Sequence, residues 1–289
     1  MSLQLYIEPY GNNGWTAGII QHIPHTVTTM DDCDYIVSSK IPYGTINHTI
    51  VQEALQSYKE VHKKVIVFML SDLNEPFDVP DNVLFFRAGM YRSHRKPNEY
   101  LIPHIWSADG LGDRFEPLQK RTIHPLVGFC GTMTSHPCRV QHINKIQMAP
   151  DIKKKFIIRS EYWAGKPHDT QVIKEFINNI KDTHFTLSSR GAGNWSARFY
   201  QVLYLGRIPI VVDTDIVMPF EDKINWRDLI VFCDSENDLV NHIKQFWSTK
   251  DIVHAQMKCK EIYDTYLTPE NWCNLITNDI LIPMKDTPL

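Results

Sequence analysis

Two arginines, two glycines, an asparagine and a serine crowd into residues 190–198 of the stretch LSSRGAGNWSARFYQ: Arg190, Gly191, Gly193, Asn194, Ser196 and Arg198. Glycines lack the side chain that would hold a backbone away from a ligand. Asn194 stands where a helix N-cap belongs, because Trp195, Phe199, Val202 and Leu203 recur behind it at helical spacing, and Gly206 is placed to stop the helix. A helix start offers unpaired N–H groups and the positive end of the dipole, and here the Ser196 hydroxyl and the Arg198 guanidinium are added. Such a cluster suits a diphosphate. Two glycines beside a single arginine would be an ordinary surface loop; six convergent residues argue for the anion site.

A base to take a proton from a hydroxyl would be a carboxylate or a histidine. Asp72 follows the apolar run KVIVFML (64–70), and a residue just past the C-terminal end of a parallel strand faces the crevice where α/β proteins hold ligands. There it can take a proton from a hydroxyl; the alternative is a loop or capping aspartate. Glu75, and Glu8 at the end of the run LQLYIEP, are the other choices. Arg87 and Arg92 are placed to line the same side, against the alternative of solvated or carboxylate-paired charges. Asp213-Thr-Asp215 has the spacing of a divalent-metal clamp, but Asp32-Cys-Asp34 repeats it, and so short a triplet recurs by chance. No metal site is assigned. His22, His25, His94, His104 and His142 show no H-x-x-x-H spacing. Trp106, Trp163 and Trp195 can stack on a sugar or base, although burial is the commoner fate of tryptophan.

These residues need elements to position them. LQLYIEP, DYIVSS (34–39), KVIVFML and VLFFRA (83–88) read as buried parallel strands, with a helix over 47–62 between the second and third. Residues 89–122 are polar and proline-rich and read as a linker. A second alternating series follows: strands at 126–131, 155–160, 184–189, 208–213 and 229–234, and helices at 137–149, 169–180, 194–205 and 235–247, the last with Ser235 and Asp238 at its start. Two terminal helices are expected over 251–266 and 269–280. The expectation is an α/β protein of two doubly wound, Rossmann-like domains, 1–122 and 123–289, with the terminal helices able to pack back on the first.

Composition narrows the class. With 30 Lys and Arg against 33 Asp and Glu, the chain has no basic excess to draw it to nucleic acid. No run of apolar residues is long enough for a membrane span, and no signal peptide is legible. Six scattered cysteines without a C-x-x-C pair fit a reducing compartment. Two sequons, at Asn47 and Asn194, include one inside the anion loop, where a glycan would block a ligand; a cytoplasmic protein is therefore expected.

The run RGAGNWSARFYQVLYLGRIPIVVDTDIVMPFEDKINW resembles the core motif of exostosin-like glycosyltransferases of family 47: Ser196, Arg198, Phe199, Gly206, Pro209, Pro219, Phe220 and Trp226 fall into register. Weaker similarity reaches upstream through 127–131, 101–103 and 83–91. In length the chain resembles small members of that family encoded by large algal viruses, among them a xylosyltransferase of chloroviruses, which would place it in the host cytoplasm. The resemblance implies a GT-B architecture, two Rossmann-like domains facing a central cleft. It further implies an acceptor-binding first half, a donor-binding second half, and transfer of a sugar from a UDP-sugar donor to a glycan acceptor with inversion, the sugar being xylose in the viral case. Its motif carries donor contacts onto Ser196 and Arg198, which join Arg190, Gly191, Gly193 and Asn194 of the anion loop as the donor-binding residues, and Arg159 at the end of KFIIRS can add another fixed cation. Glu8, Arg87 and Arg92 fall on the acceptor side, with Asp72 as base. Where the family carries an acidic residue for the donor ribose, this sequence has Gln201, an uncharged substitute. Fixed cations make a metal cofactor unnecessary. A D-x-D metal-dependent transferase and a non-catalytic nucleotide- or glycan-binding relative are the alternatives. A Rossmann dehydrogenase is disfavoured because YGNNGWTAG lacks the G-x-G-x-x-G spacing.

Overall fold

The computed structural model describes residues 2–9, 14–105, 111, 115–119 and 122–288. Trp106 and part of the YGNNGWTAG turn lie outside them. The chain divides into two compact units: unit 1 holds Met1–His104, Asp215–Pro219 and Tyr266–Leu289, and unit 2 holds Ile105–Thr214 and Phe220–Thr265. The first division lies between His104 and Ile105, earlier than the sequence boundary at 122.

Among the described residues, unit 1 is built on β1 (Leu3–Ile7), β2 (His25–Val27), β3 (Tyr35–Val37), β4 (Lys64–Met69), β5 (Val83–Arg87) and β6 (Glu99–Leu101). They form one parallel sheet in the order β2-β1-β3-β4-β5-β6. The strands β3, β4 and β5 are buried at every position, as expected of parallel strands covered on both faces. The edge strands β2 and β6, three residues each, were not expected from sequence. Helices α1 (Gly14–Ile20) and α2 (His48–Gln56) follow β1 and β3. Asn47 caps α2 by accepting from the Thr49 and Ile50 N–H groups at 3.0 and 3.3 Å. The helix ends well before 62, because Tyr58 and Lys59 bond back to Leu55 and Gln56 in a tighter turn. Its Val51 and Leu55, with Tyr58, pack on Ile36, Val65, Val67 and Phe85, each aliphatic side chain contributing about 1.5–3 kcal/mol by burial. The third segment of unit 1 completes the same core: Trp272 lies edge-on to Phe86 with ring centroids 6.1 Å apart, and the Tyr35 hydroxyl donates to the Leu281 carbonyl at 2.7 Å.

Among the described residues, unit 2 carries β7 (Leu126–Thr132), β8 (Lys153–Arg159), β9 (Phe185–Leu187), β10 (Ile208–Val212) and β11 (Val231–Cys233), parallel throughout in the order β11-β10-β9-β7-β8. The helices are α3 (Pro137–Met148), α4 (Thr170–Lys181), α5 (Ala197–Tyr204), α6 (Trp226–Leu229), α7 (Leu239–Thr249) and α8 (Ile252–Ile262). The expected start of α7 at Ser235 moves to Asp238, whose side chain makes no capping bond. Gly206 ends α5 in the left-handed conformation, φ 61°, as its position implied. Both sheets therefore wind the same way: the second strand lies on one side of the first and the third on the other. That reversal, between β1 and β3 in unit 1 and between β7 and β9 in unit 2, is the topological switch point at which open α/β sheets hold ligands. No helix among the described residues is long and apolar enough to cross a membrane.

Candidate anion site and candidate proton acceptor

At the switch point of unit 2, Gly131 and Thr132 end β7, and Ser188, Ser189 and Arg190 follow β9. Arg139, buried in the first turn of α3, ties the two strand ends together. Its Nη1 donates to the Thr132 carbonyl at 3.1 Å, its Nε to Arg190 at 2.9 Å and its Nη2 to Ser189 at 3.3 Å. Sequence reading missed this residue. The available signal was a cation in the first turn of a helix, where the dipole opposes it.

Arg198, in the first turn of α5, is buried beside the same strand ends. Nη2 donates to the Cys130 carbonyl at 2.7 Å, and the guanidinium lies over the Phe129 ring at 4.4 Å. Its Nε and Nη1 have no hydrogen-bond partner, and no carboxylate pairs with it, among the described residues. Burial first, and then the neighbouring Arg139 charge, push its pKa down. Orphaned buried donors cost about 1–3 kcal/mol each, more when charged, so an anion placed here satisfies groups that the protein leaves unsatisfied. Gly131 makes the approach possible: a Cβ there would lie 2.6 Å from Arg198 Nη2.

The remaining donor-side residues divide. Ser196, not Asn194, is the N-cap of α5, and its hydroxyl makes no capping bond. Asn194 is drawn away by Thr214, whose hydroxyl donates to Asn194 Oδ1 at 2.6 Å while Asn194 Nδ2 donates to the Thr214 carbonyl at 3.2 Å. Arg190 curls over its own loop, Nη2 donating to the Ala192 carbonyl at 2.9 Å. Neither Gly191 nor Gly193 has a left-handed φ; the loop closes on itself, the Gly191 N–H donating to the Trp195 carbonyl at 3.0 Å, and a Cβ on Gly191 would meet Arg139 Nη2 at an ordinary 3.5 Å. Arg159 is engaged by α4, with Nη2 3.3 Å from Glu175 Oε2 and 3.1 Å from the Val172 carbonyl. Gln201 is buried one turn along α5 from Arg198.

Two histidines back the site. His136 caps α3, and His142 is buried with Nδ1 2.7 Å from Ser189 Oγ. Burial, then the His136 and Lys145 charges, push His142 down to about 4. A histidine depressed in the folded state binds its proton first in the unfolded chain, so stability falls as pH drops from about 6.5 towards 4, by roughly 3 kcal/mol for this shift. Thermal melts from pH 7 to 4.5 should show His142→Asn losing less of its melting temperature than the wild type; equal losses would count against the assignment.

In unit 1 the switch point holds Glu8 rather than Asp72. Glu8 Oε2 accepts from the buried Tyr58 hydroxyl at 2.5 Å, and Lys40 Nζ lies 3.7 Å from Oε1. The Tyr58 oxygen lies 2.7 Å from Ser38 Oγ, which accepts from the Lys40 N–H at 3.2 Å; with the single phenol proton given to the carboxylate, Ser38 donates to Tyr58. Oε1 accepts no hydrogen bond among the described residues, and the side chain is 19% exposed. Asp72 is exposed on the loop after β4, where the chain winds without reversal, and its carbonyl accepts from Asn74 Nδ2 at 3.0 Å. Glu75 Oε2 takes the Asn74 N–H at 3.0 Å.

Arg87 does not line an acceptor surface. It is 1% exposed, paired with Glu99 of β6 at 3.1 Å, and donates Nη2 to the Leu73 and Glu75 carbonyls at 3.0 Å; it holds the Asp72 loop in place. Arg92 is exposed, with Nη1 3.3 Å from the Ile216 carbonyl and Nε 3.8 Å from Asp215. Asp215 also accepts from the Ser93 N–H at 3.2 Å and its hydroxyl at 2.5 Å. One carboxylate of the D-x-D triplet is therefore engaged in joining two segments of unit 1.

Residues 118–246, which carry β7–β11 and Arg139, Arg190 and Arg198, match the family described as Exostosin GT47 domain. That segment is similar to an exostosin GT47 domain. A probable beta-1,4-xylosyltransferase IRX10L of Arabidopsis thaliana is 40% identical to this chain over 62 residues, 22% of this chain and 15% of the relative. A probable glucuronosyltransferase GUT1 of Oryza sativa subsp. japonica is 38% identical over 64 residues, 22% of this chain and 15% of the relative. The aligned stretch thus spans less than a sixth of the length of these relatives. A solved structure described as the crystal structure of a GtfA/B complex bound to UDP and GlcNAc aligns over 86% of this chain and 57% of that one, at 9% identity and TM-score 0.31.

Proposed function

We propose that this exostosin-like protein is an inverting glycosyltransferase that moves a sugar from a UDP-sugar to a glycan hydroxyl. The observation that carries the reading is the buried Arg198, with two unsatisfied donors and no countercharge among the described residues, at the switch point of a parallel sheet. A diphosphate leaving group gains negative charge as its bond to the sugar breaks, and donors already fixed and desolvated stabilise that charge without reorganising. The relatives named as xylosyl- and glucuronosyltransferases favour a pentose or uronic acid donor, with xylose as our choice. Fixed cations rather than a metal carry the leaving-group charge in this reading. A carboxylate takes the acceptor proton, and Glu8 suits the role better than Asp72, because Tyr58 anchors one oxygen and leaves the other to accept. A binder of neutral glycans alone needs no buried guanidinium without a countercharge; a non-catalytic nucleotide binder would bind UDP and consume no UDP-sugar.

Turnover of a panel of nucleotide sugars, with water or oligosaccharides as acceptor, tests the reading. UDP-sugars should be consumed, with activity retained in EDTA; consumption of GDP- or CMP-sugars alone would sink the donor assignment, and loss in EDTA the metal-free one. Glu8→Gln should lower turnover roughly 10²-fold or more with UDP affinity unchanged. If Asp72→Asn does so instead, the base is Asp72. We place the protein in the cytoplasm: Asn194 is buried and bonded on both side-chain atoms to Thr214, and a glycan found on native Asn194 would contradict that.

A further inference from the structure

Two aromatic rings meet at the switch point of unit 1, outside its core. Trp15 belongs to the first turn of α1, which follows β1, and Tyr43 to the loop between β3 and α2; their ring centroids lie 5.7 Å apart with the planes tilted by 54°. The pair is therefore assembled from the two connections that part company at the switch point. Tyr43 is 62% exposed, yet its position is fixed. The Thr45 N–H donates to the Pro42 carbonyl at 3.3 Å, and Gly44, at φ 69°, takes the left-handed conformation that favours glycine at the third residue of such a turn. The Gly44 N–H donates in turn to the Leu70 carbonyl, just past β4, at 3.0 Å. A turn bonded to the sheet thus holds a large apolar ring out in water, where burial gives it nothing. Single exposed rings are ordinary on a protein surface; two that meet from separate loops, one of them pinned, make a surface suited to a ligand.

The same two connections carry the candidate proton acceptor. Glu8 stands just past β1 and Lys40 just past β3, with Lys40 Nζ 3.7 Å from Glu8 Oε1. The Ser39 hydroxyl donates to the Glu8 carbonyl at 3.1 Å, so the two strand ends are tied together. The chemistry of the ligand follows from the pairing of flat rings with a carboxylate. A pyranose carries its hydroxyls around the rim of the ring, whereas its axial C–H bonds make an apolar face. That face packs on the electron-rich face of an aromatic side chain, and the rim hydroxyls stay free to bond or react.

We propose that Tyr43 and Trp15 form a carbohydrate subsite in unit 1: the C–H face of an acceptor pyranose stacks on the Tyr43 ring, Trp15 flanks it, and a hydroxyl at its rim is presented to Glu8. This rests on the transferase reading above. The two are separable because oligosaccharide binding without a donor reports on the subsite alone, whereas UDP binding and consumption of UDP-sugar report on the transferase.

Titration of the full chain, without donor, with xylotetraose, cellotetraose, mannotetraose and galactotetraose provides the test, with UDP titrated separately. Tyr43→Ala should weaken the oligosaccharide that binds about 10-fold, the size of one lost aromatic stack, and leave UDP affinity as in the wild type. Tyr43→Phe should bind as the wild type does, because it keeps the ring. Tyr43→Leu should fail as Tyr43→Ala does, because it offers apolar area without a flat face. In transfer to the same oligosaccharide, Tyr43→Ala should raise the acceptor KM about 10-fold with a smaller change in kcat. Wild-type oligosaccharide affinity in Tyr43→Ala or Tyr43→Leu would overturn the stack, as would a parallel loss of UDP affinity and melting temperature, the mark of a disturbed fold. A wild-type chain that binds UDP and none of these sugars would overturn the subsite. One that neither binds UDP nor consumes a UDP-sugar would overturn the transferase reading instead.

Discussion

Replacing Arg198 by Met should abolish UDP binding while leaving the unliganded protein as stable as the wild type, or more stable by about 1 kcal/mol. The reasoning starts from what the guanidinium costs. It is buried, bonds through Nη2 alone to Cys130, leaves Nε and Nη1 unsatisfied, and lies close enough to Arg139 to be repelled. An apolar side chain of similar volume keeps the packing on Phe129 and removes an uncompensated charge; it also gives up one hydrogen bond of about 1.5–3 kcal/mol for a charged donor. These contributions nearly cancel. Arg198→Lys separates charge from geometry, since the ammonium keeps the charge and loses the fork, and turnover should fall roughly 10²-fold or more. Melting curves with and without UDP check both: the wild type should gain stability with UDP, and Arg198→Met should gain none. A loss of several kcal/mol in unliganded Arg198→Met would make the residue structural.

Gly131→Ala should weaken UDP binding at least 10-fold, by about 1.4 kcal/mol or more, although the substituted residue is not itself a donor-binding group. The added Cβ would lie 2.6 Å from Arg198 Nη2, at a residue whose φ of 154° few side chains adopt. The atom it meets is the far end of a long side chain, so Arg198 shifts and the strand does not, at a cost to stability of about 1 kcal/mol for the backbone. Calorimetry on Gly131→Ala should therefore find the fold intact and the UDP affinity reduced by at least that factor. Wild-type affinity would mean that Arg198 can bind from a displaced position and that its seat against β7 is incidental.

How much of this was legible depended on whether a residue's partners were local. The buried strands declared themselves because parallel strands covered on both faces are apolar at every position, whereas β2 and β6 are three-residue edges with little pattern. Arg198 was found because its helix and glycine stop are contiguous in sequence. Arg139 was not, since Thr132, Ser189 and Arg190 reach it from two other segments. Arg87 was misplaced for the same reason: its partner Glu99 lies on the edge strand that could not be seen. The helix cap moved by two residues because Thr214, from beyond the following strand, captures Asn194.

The way unit 1 is assembled bears on how the chain is made. Its sheet comes from the first 104 residues, but Trp272 and the carbonyl that receives the Tyr35 hydroxyl belong to its last segment, Tyr266–Leu289. Residues 266–289 are synthesised after all of unit 2, so the half begun first is the half whose core is completed last. Until residues 266–289 emerge, the face of the first sheet that Trp272 covers stays open, the kind of transient apolar surface that chaperones bind. Pulse proteolysis of a released chain truncated after residue 265 should find unit 2 protected and unit 1 digestible; protection of both would mean that the segment 266–289 only decorates a core already formed.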